Sequence, residues 1–442
     1  MLDEMNANNY NSLQMKTMKI KDVCLRMHSG GTPSTKHPEY WNGSIPWLSS
    51  SESGKNFIND ASQFITEEGV KNSATRQAKK DSVIIATAGE GKTRGQVSYL
   101  NIDAYINQSL IAMQTNPAIM ESKYLYYYLK NSYTRLRTLS NITGVRGSLS
   151  GSLLADFDIT FPELNEQKKV VSLLSSLDSK ISLNEQINRN LEELARLIYD
   201  YWFVQFDFPD KNGKPYKSSG GKMVWNEKLK RDIPAGWQTA KVRDVILPIE
   251  RGISYSSDEI TDPNGTPMIN LACFDKKGNY RTGEFKYFTG KYKNEDKVYP
   301  FDMLIACTDL TQKADIIGTP IFAPTECPFY VFSMDLVKIT PIRSNDKQFL
   351  YYYLKHPAFH HYIKPFASGT TVKHLRVDGL LDYPIFMPDE SVRDAFAEVM
   401  EPIRQKIADN TSHGVELSKM RDFLLPLLMN GQVSVKSSNR SK

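Results

Sequence analysis

The chain has 442 residues, of which 40% are hydrophobic and 24% charged; this is the composition of an ordinary globular protein of about three domain-sized units, with no apolar run of membrane-spanning length. Its net charge of +5 is weak, with 16 basic against 12 acidic residues in 17–161 and 18 against 17 in 237–387. Charge therefore permits a nucleic-acid partner without arguing for one. Cys24, Cys273, Cys307 and Cys327 lack the paired spacing of a zinc site or disulfide frame and fit reduced thiols in a cytoplasm.

Residues 1–17 are rich in Asn and Met and read as a disordered extension, neither signal peptide nor anchor. A first globular unit follows over 18–162. It has short strands at 45–48, 82–86, 96–100 and 109–114, a helix at 122–130, a Gly/Ser-rich loop at 143–151 and a last strand at 157–161. This is a mixed α+β pattern without regular strand–helix alternation.

Residues 163–208 hold a long helix. Val170, Leu173, Leu177, Ile187, Leu191, Leu194, Ile198 and Tyr201 recur in steps of three and four, the spacing of a coiled-coil seam. Asn165 is a candidate N-cap and Pro209 closes the other end. Such a helix of about 40 residues is roughly 60 Å long, too long for the interior of one small domain. The aromatic run 199–208 suits either a partner groove or packing beneath a neighbouring lobe. Turn formers dominate 209–236, a linker whose Trp225, with Trp237 just beyond, suggests docking on a surface.

A second unit, 237–388, repeats the first. Leu125-Tyr126-Tyr127-Tyr128-Leu129-Lys130 returns letter for letter as Leu350-Tyr351-Tyr352-Tyr353-Leu354-Lys355. Asp81 to Ala86 aligns with Asp302 to Cys307, and Asp156-Phe157 and Pro162 return as Asp382-Tyr383 and Pro388. The offset drifts only from 221 to 226, the mark of an internal repeat. Residues 389–430 then form a second long helix, with Val392, Phe396, Val399, Ile403, Ile407, Leu417, Met420, Leu424 and Leu427 on its seam. Pro402 and Pro426 predict a kink or break there. Asn184 and Asn410 are polar residues on otherwise apolar seams and are expected to meet at the centre of the helix pair. Residues 431–442 read as a disordered tail.

Catalytic signatures are missing. Ala86-Thr87-Ala88-Gly89-Glu90-Gly91-Lys92-Thr93 satisfies the loose phosphate-loop pattern, but the residues that follow read as turn and strand, whereas nucleotide binding needs a helix there. A Gly-rich turn is the favoured reading and an NTPase the minority one. There is no Asn-Pro-Pro-aromatic motif for base methylation, no GxGxxG, GxSxG or HExxH. His356 and His360 lie one helical turn apart without a carboxylate or thiol beside them, which suits a solvated or DNA-facing helix end better than a metal. The loops carry more. Thr32, Ser34, Ser50, Lys92, Thr93, Arg94, Arg146 and Ser148 in the first unit place hydroxyls and cations on flexible backbone. Arg251, Ser254, Tyr255, Asn270, Gln312, Lys313, Thr370, Thr371 and Lys373 do so in the second. Hydroxyls and Lys suit phosphate oxygens; Arg, Asn and Gln suit base edges.

Three stretches carry a family resemblance. Gly30-Gly31-Thr32-Pro33-Ser34 with Tyr40-Trp41-Asn42-Gly43-Ser44-Ile45-Pro46-Trp47, Phe161-Pro162-Glu163-Leu164-Asn165-Glu166-Gln167-Lys168-Lys169-Val170, and Tyr216-Lys217-Ser218-Ser219-Gly220-Gly221 through Trp225-Asn226 to Ile233-Pro234-Ala235-Gly236-Trp237 resemble type I restriction–modification specificity subunits over nearly the whole chain. The second helical stretch departs from that pattern, opening Pro388-Asp389-Glu390-Ser391 without the Glu-Gln pair. The resemblance implies two target recognition domains, 18–162 and 237–388, held apart by two antiparallel helices. Leu177, Asn184, Leu191 and Ile198 would form the coiled coil with Ile403, Asn410, Leu417 and Leu424. It implies a non-catalytic subunit, without a cofactor of its own, that reads a bipartite DNA site. Two modification subunits would methylate adenine with S-adenosylmethionine, and two motor–nuclease subunits would use ATP and Mg. The helix pair would act as a ruler for the unread spacer. A modification-only or fused nuclease–methylase system, and a pure coiled-coil scaffold, are the competing readings.

Overall fold

A computed structural model describes residues 14–89, 91–142, 148–260, 264–275, 278–311 and 313–435. The chain divides into two units, one comprising residues up to 179 together with those from 418 onward, the other residues 180–417.

In the first unit a five-stranded sheet runs in the order Cys24–Ser29, Leu110–Thr115, Val83–Ala86, Val97–Leu100, Phe57–Ile58. A four-stranded sheet runs Gln63–Ile65, Trp41–Leu48, Ala104–Ile106, Arg76–Ala78, its central pair parallel. Met15–Lys19 pairs antiparallel with Asp158–Pro162. Residues 15–17, expected in the disordered extension, are thus strand, because the last strand of the lobe needs an edge partner for its backbone groups. The helix Ser122–Asn131 buries Tyr124, Leu125, Tyr126, Tyr127 and Leu129 against the larger sheet.

The second unit repeats this plan. Glu250–Arg251, Leu336–Ile339, Met303–Ala306 and Pro320–Phe322 form one sheet, and Lys286–Phe288, Thr266–Ile269, Tyr330–Phe332 and Lys297–Val298 the other, again with a parallel central pair. Gln238–Lys241 pairs with Pro384–Met387. The equivalence corrects the alignment of the strands by one residue: Ala86 pairs with Leu110 as Ala306 pairs with Leu336. Asp81 and Phe301, not Asp302, share a positive φ of 66° and 70°. Val83–Ala86 and Met303–Ala306 are buried at every position, so no period-two alternation marks their register.

The first long helix is Leu164–Tyr199, continued by a π-helical turn Asp200–Val204. It starts one residue before Asn165, which lies inside the helix; the Glu163 carbonyl accepts the first backbone bonds, from Glu166 and Gln167. The second runs unbroken over Glu390–Met429 through both prolines. Each proline forfeits one backbone hydrogen bond, and buried Phe396, Met400, Leu425 and Leu428 hold the flanking turns. Of the seam residues, Leu177, Asn410 and Leu417 are buried, while Asn184, Leu191, Ile198, Ile403 and Leu424 are half-buried. Leu194, Tyr201, Val399 and Met420 are exposed instead. Ala195, Tyr199, Trp202 and Phe203 turn inward in the first helix, and join Trp237, Phe349, Phe386 and Phe396 in the core of the second unit. The aromatic run is therefore packing, not a groove. Trp237 docks as expected, whereas Trp225 stays exposed on the hairpin Met223–Asn226/Arg231–Pro234, its indole donating to Glu227 at 2.9 Å.

Within the second unit the helices run antiparallel. Asn410 finds Asn188 rather than Asn184: its Nδ2 donates to Asn188 Oδ1 at 2.9 Å. Asn188 Nδ2 in turn donates to the Ile407 carbonyl and Thr411 Oγ1. Asn184 lies one turn away, facing His413 at 3.5 Å. Removing one partner leaves a buried amide unsatisfied, so Asn188→Ala should lower stability by about 1–3 kcal/mol. Replacing both Asn188 and Asn410 by Leu should recover most of that loss. A urea-unfolding double-mutant cycle checks it, and additive losses would refute the pair.

The missing Glu-Gln pair has a structural replacement. Gln167 is fully buried, donating to the Pro162 and Ile119 carbonyls at 2.9 and 3.0 Å and accepting from Glu121 N at 2.9 Å. Arg393 takes the same place in the second unit. Its Nε donates to the Pro388 carbonyl at 2.9 Å, and its Nη1 donates to buried Asp346.

Candidate nucleic-acid interface

In the first lobe Ser29 pairs with Ile111 and Ala86 with Leu110, so the loops after residues 29 and 86 and the one before 110 leave the large sheet at one end. Backbone bonds tie them together. Gly31 N donates to Ile106 O (3.1 Å), Ala86 N to Gln96 O (3.0 Å) and Gly95 N to Ala86 O (2.8 Å). Thr87 N donates to Ser109 O and Leu149 N to Thr87 O, both at 2.9 Å.

The second lobe builds the same frame from different residues. Ile253 N donates to Phe332 O (2.8 Å), Ala306 N to Thr319 O (3.2 Å), Gly318 N to Ala306 O (2.8 Å), Cys307 N to Asp335 O (2.7 Å) and Leu375 N to Cys307 O (2.8 Å). Gly30 and Gly252 sit at equivalent points where another strand's backbone passes. An added Cβ would lie 1.8 Å from the Ile106 oxygen or 2.3 Å from the Phe332 oxygen, so these positions need glycine for close approach rather than for flexibility.

On this frame the expected residues divide. Thr32 is exposed and donates to Gln108 Oε1 at 2.7 Å. Lys92 is exposed while its carbonyl accepts from the Tyr133 hydroxyl at 2.8 Å, and Thr93 is half-buried beside it. Ser148 is exposed next to the Leu149 anchor. Arg94 is buried, its guanidinium donating to Asn141 Oδ1 at 2.6 Å, so it braces the turn from within. Ser50 is half-buried, with its carbonyl bonded to Ser53 Oγ, which also reaches Gln96. Ser34 is exposed beside the smaller sheet, where its carbonyl accepts from Trp41 Nε1.

In the second lobe Arg251, Ser254, Lys313, Thr370 and Thr371 are exposed at the sheet end. Half-buried Lys373 pairs in register with Asp309. Buried Asp309 accepts from Thr311 N at 2.6 Å and Ile316 N at 2.8 Å, fixing the loop that presents Lys313. Tyr255 is held by Lys286, which donates to its hydroxyl at 3.0 Å and stands 4.9 Å from the ring centroid. Asn270 is buried and caps the turn Leu271–Cys273 by accepting from Ala272 N; a polar loop residue that serves its own backbone looks the same in sequence as one that serves DNA. Arg146 and Gln312 lie outside the described residues. Sequence reading also passes over Gln108 and Met334, which only the shared frame reveals as neighbours of the predicted residues.

The sharper chemical alternatives fail on geometry. Turns over 91–95, then the strand Val97–Leu100, follow Gly89, so no helix N-terminus stands behind Lys92 and Thr93 to cradle phosphates. His356 caps its own helix, accepting from Ala358 N, and His360 meets the Ala314 carbonyl at 3.2 Å. Both are half-buried, and burial lowers both imidazoles below their ordinary value; neither is a solvated end. Among the described residues no group of three or more His, Cys, Asp or Glu could hold a metal, and no helix is long and apolar enough to cross a membrane. Burial pushes the Cys24 and Cys307 thiols up to about 12, the opposite of an activated nucleophile.

Two frames of one design invite comparison with known proteins. The model of the type I restriction modification DNA specificity domain matches twice, over residues 13–193 and 234–414. The chain belongs to this family. It is similar to the MjaIX specificity subunit of Methanocaldococcus jannaschii, with 26% identity covering 94% of this chain and 93% of that one. It is also similar to the EcoR124I/EcoR124II specificity subunit of Escherichia coli, with 31% identity over 42% of this chain and 46% of the relative. The S subunit of the type I system from M. genitalium shares the fold, with a TM-score of 0.57 at 15% identity, covering 96% and 97% of the two chains. As a specificity subunit, the chain is a DNA-recognition component of a type I restriction–modification system and not its catalyst.

A contact with DNA phosphate is the role proposed for Lys92 in the turn 91–95. Lys92→Ala should weaken DNA binding uniformly across sequences and reduce the salt slope by about one, as for a single phosphate contact. Titrations at several salt concentrations check this; ATP binding that vanishes in the variant would restore the nucleotide reading.

Proposed function

We propose that each lobe reads one half of a bipartite DNA site and that the subunit thereby directs adenine methylation or cleavage by its partners. The observation that carries this is the duplicated sheet end: two lobes that share the order of four strands in their larger sheets present the same backbone frame with different exposed side chains. A frame of that kind can address similar duplex geometry with two different sequence preferences. Thr32, Ser34, Ser50, Lys92, Thr93 and Ser148 are the proposed contacts of the recognition domain 18–162. Arg251, Ser254, Tyr255, Lys313, Thr370, Thr371 and Lys373 are those of the domain 237–388. Arg94 and Asn270 support loops from inside. The linker 209–236 joins the two halves, and the helical stretches 163–208 and 389–430 set the unread spacer.

The partners in this reading are two modification subunits, which carry S-adenosylmethionine, and two motor–nuclease subunits, which carry ATP and Mg, in the cytoplasm. Base-resolution mapping of methylated adenine, in a host with and without the gene, tests the proposal. A two-part motif with a fixed gap should lose its modification when the gene is removed. A methylome that does not change would overturn it.

A further inference from the structure

The matched backbone bonds place two residues at one structural position. Leu110 in the first lobe corresponds to Leu336 in the second, since each opens its strand opposite the equivalent alanine. Two residues earlier lie Gln108 and Met334. Both stand at the sheet end, on the segment that leads into the strand, beside the loop that follows Gly30 or Gly252. Met334 N donates to the Ile253 carbonyl at 2.9 Å, which fixes that approach in the second lobe. In the first lobe Thr32 Oγ1 donates to Gln108 Oε1 at 2.7 Å and orients the exposed amide. Ser254 is the counterpart of Thr32, but Met334 offers it no amide.

Met334 is 51% exposed, and Leu310, in the loop held by Asp309, is 70% exposed. Two exposed apolar side chains thus lie on loops at the sheet end that also carries Arg251, Lys313 and Lys373. Scattered apolar residues on a surface need no explanation. An exposed methionine on the polar, cationic end of the lobe, at the position where the other lobe carries an oriented amide, calls for one.

We infer that this shared position is a base-reading position in both lobes: Gln108 reads the major-groove edge of an adenine in one half-site, and Met334 reads a thymine 5-methyl group in the other. A carboxamide both accepts from adenine N6 and donates to N7, whereas the thymine methyl is the one apolar group on a base-pair edge in that groove. The inference rests on the reading of the lobes as half-site readers, and the experiment separates the two.

The wild-type subunit, assembled with its modification partners, is first used to map the methylated motif, and duplexes carrying that motif are then made with each thymine replaced in turn by deoxyuracil. At one thymine of the second half-site, loss of the methyl should weaken competition by about fourfold, the effect of one buried methyl group. Met334→Gln should be indifferent to that replacement. In methylome mapping Met334→Gln should change the preference at one base pair of the second half-site, and Gln108→Met at one base pair of the first, by about tenfold or more. Because the uracil series uses the wild-type chain, it stands whether or not a variant folds. If the wild type yields no bipartite motif, the reading of the lobes fails. If the motif exists but no thymine is sensitive, or a variant changes both half-sites or neither, the assignment of this position is overturned.

Discussion

Exchanging residues 237–388 for the matching lobe of another specificity subunit is expected to replace one half-site of the recognised sequence completely and leave the other as it was. The exchanged segment is closed at its own ends: Gln238 pairs with Met387 and Lys241 with Pro384 in a two-stranded sheet, so both junctions lie at one place on the lobe. Contacts that reach beyond the segment bear on whether a chimera folds. Phe349 packs against Phe203 of the first long helical stretch and Phe386 against Phe206 just beyond it, and Asp346 bonds Arg393 of the second. A donor lobe therefore needs aromatic residues at the first two places and an acid at the third. Methylome mapping of the chimera reads the result, and a change in both half-sites would sink the modular picture.

The companion change is in the helices. Adding seven residues to each lengthens it by roughly 10 Å, or about three base pairs at 3.4 Å each along a strand. If the helices act as a ruler, the half-site bases should persist while the gap lengthens or binding weakens. Altered half-site bases would refute that role.

Asp346→Ala should destabilise the second unit by about 3–5 kcal/mol, the cost of leaving a buried ionic partner alone. The Asp346 carboxylate accepts from Arg343 at 3.2 Å and from Arg393, and both Asp346 and Arg393 are buried. Burial raises the carboxyl above its ordinary value, against the pull of both guanidiniums. Without the acid, Arg393 keeps its bond to the Pro388 carbonyl but holds an unbalanced charge away from water. The first unit shows the remedy, since Gln167 serves the equivalent carbonyl without charge. The double variant Asp346→Ala/Arg393→Gln should regain most of the loss. Trp202 and Trp237 lie in this core, so tryptophan fluorescence during urea unfolding should follow the transition. A loss below about 1 kcal/mol in the single variant would show that the pair is not isolated from solvent.

Much of the architecture was legible because the repeat is literal where packing is tight. Tyr126 and Lys130 recur as Tyr351 and Lys355 because each lysine bonds the tyrosine hydroxyl and an asparagine of its lobe, Asn56 or Asn279. The strands were harder to align. Val83–Ala86 and Met303–Ala306 are apolar throughout, so a slip of one residue left no trace in the pattern. On the helices the seam was recognisable, but its phase was not. Leu194 fits a heptad as well as Ala195 does, and only the lobe core, which draws in Tyr199 and Phe203, selects the second. Asn188 was hidden by the same ambiguity. The candidate site was the least legible part. Arg94 and Asn270 have the right chemistry for DNA and spend it on their own loops, while Met334 has no polar signature at all.

The frame at the sheet ends is made of main-chain hydrogen bonds, and that separates two demands that most binding sites must satisfy with the same atoms. Side chains such as Ser254, Leu310, Met334 and Thr371 hang from it without holding it up. Substitutions there should stay within about 0.5 kcal/mol of the parent in folding stability, so a randomised library at these positions would keep nearly all its members folded. Selection on such a library would act on preference alone, and a new preference could arise one substitution at a time without a compensating change elsewhere in the lobe.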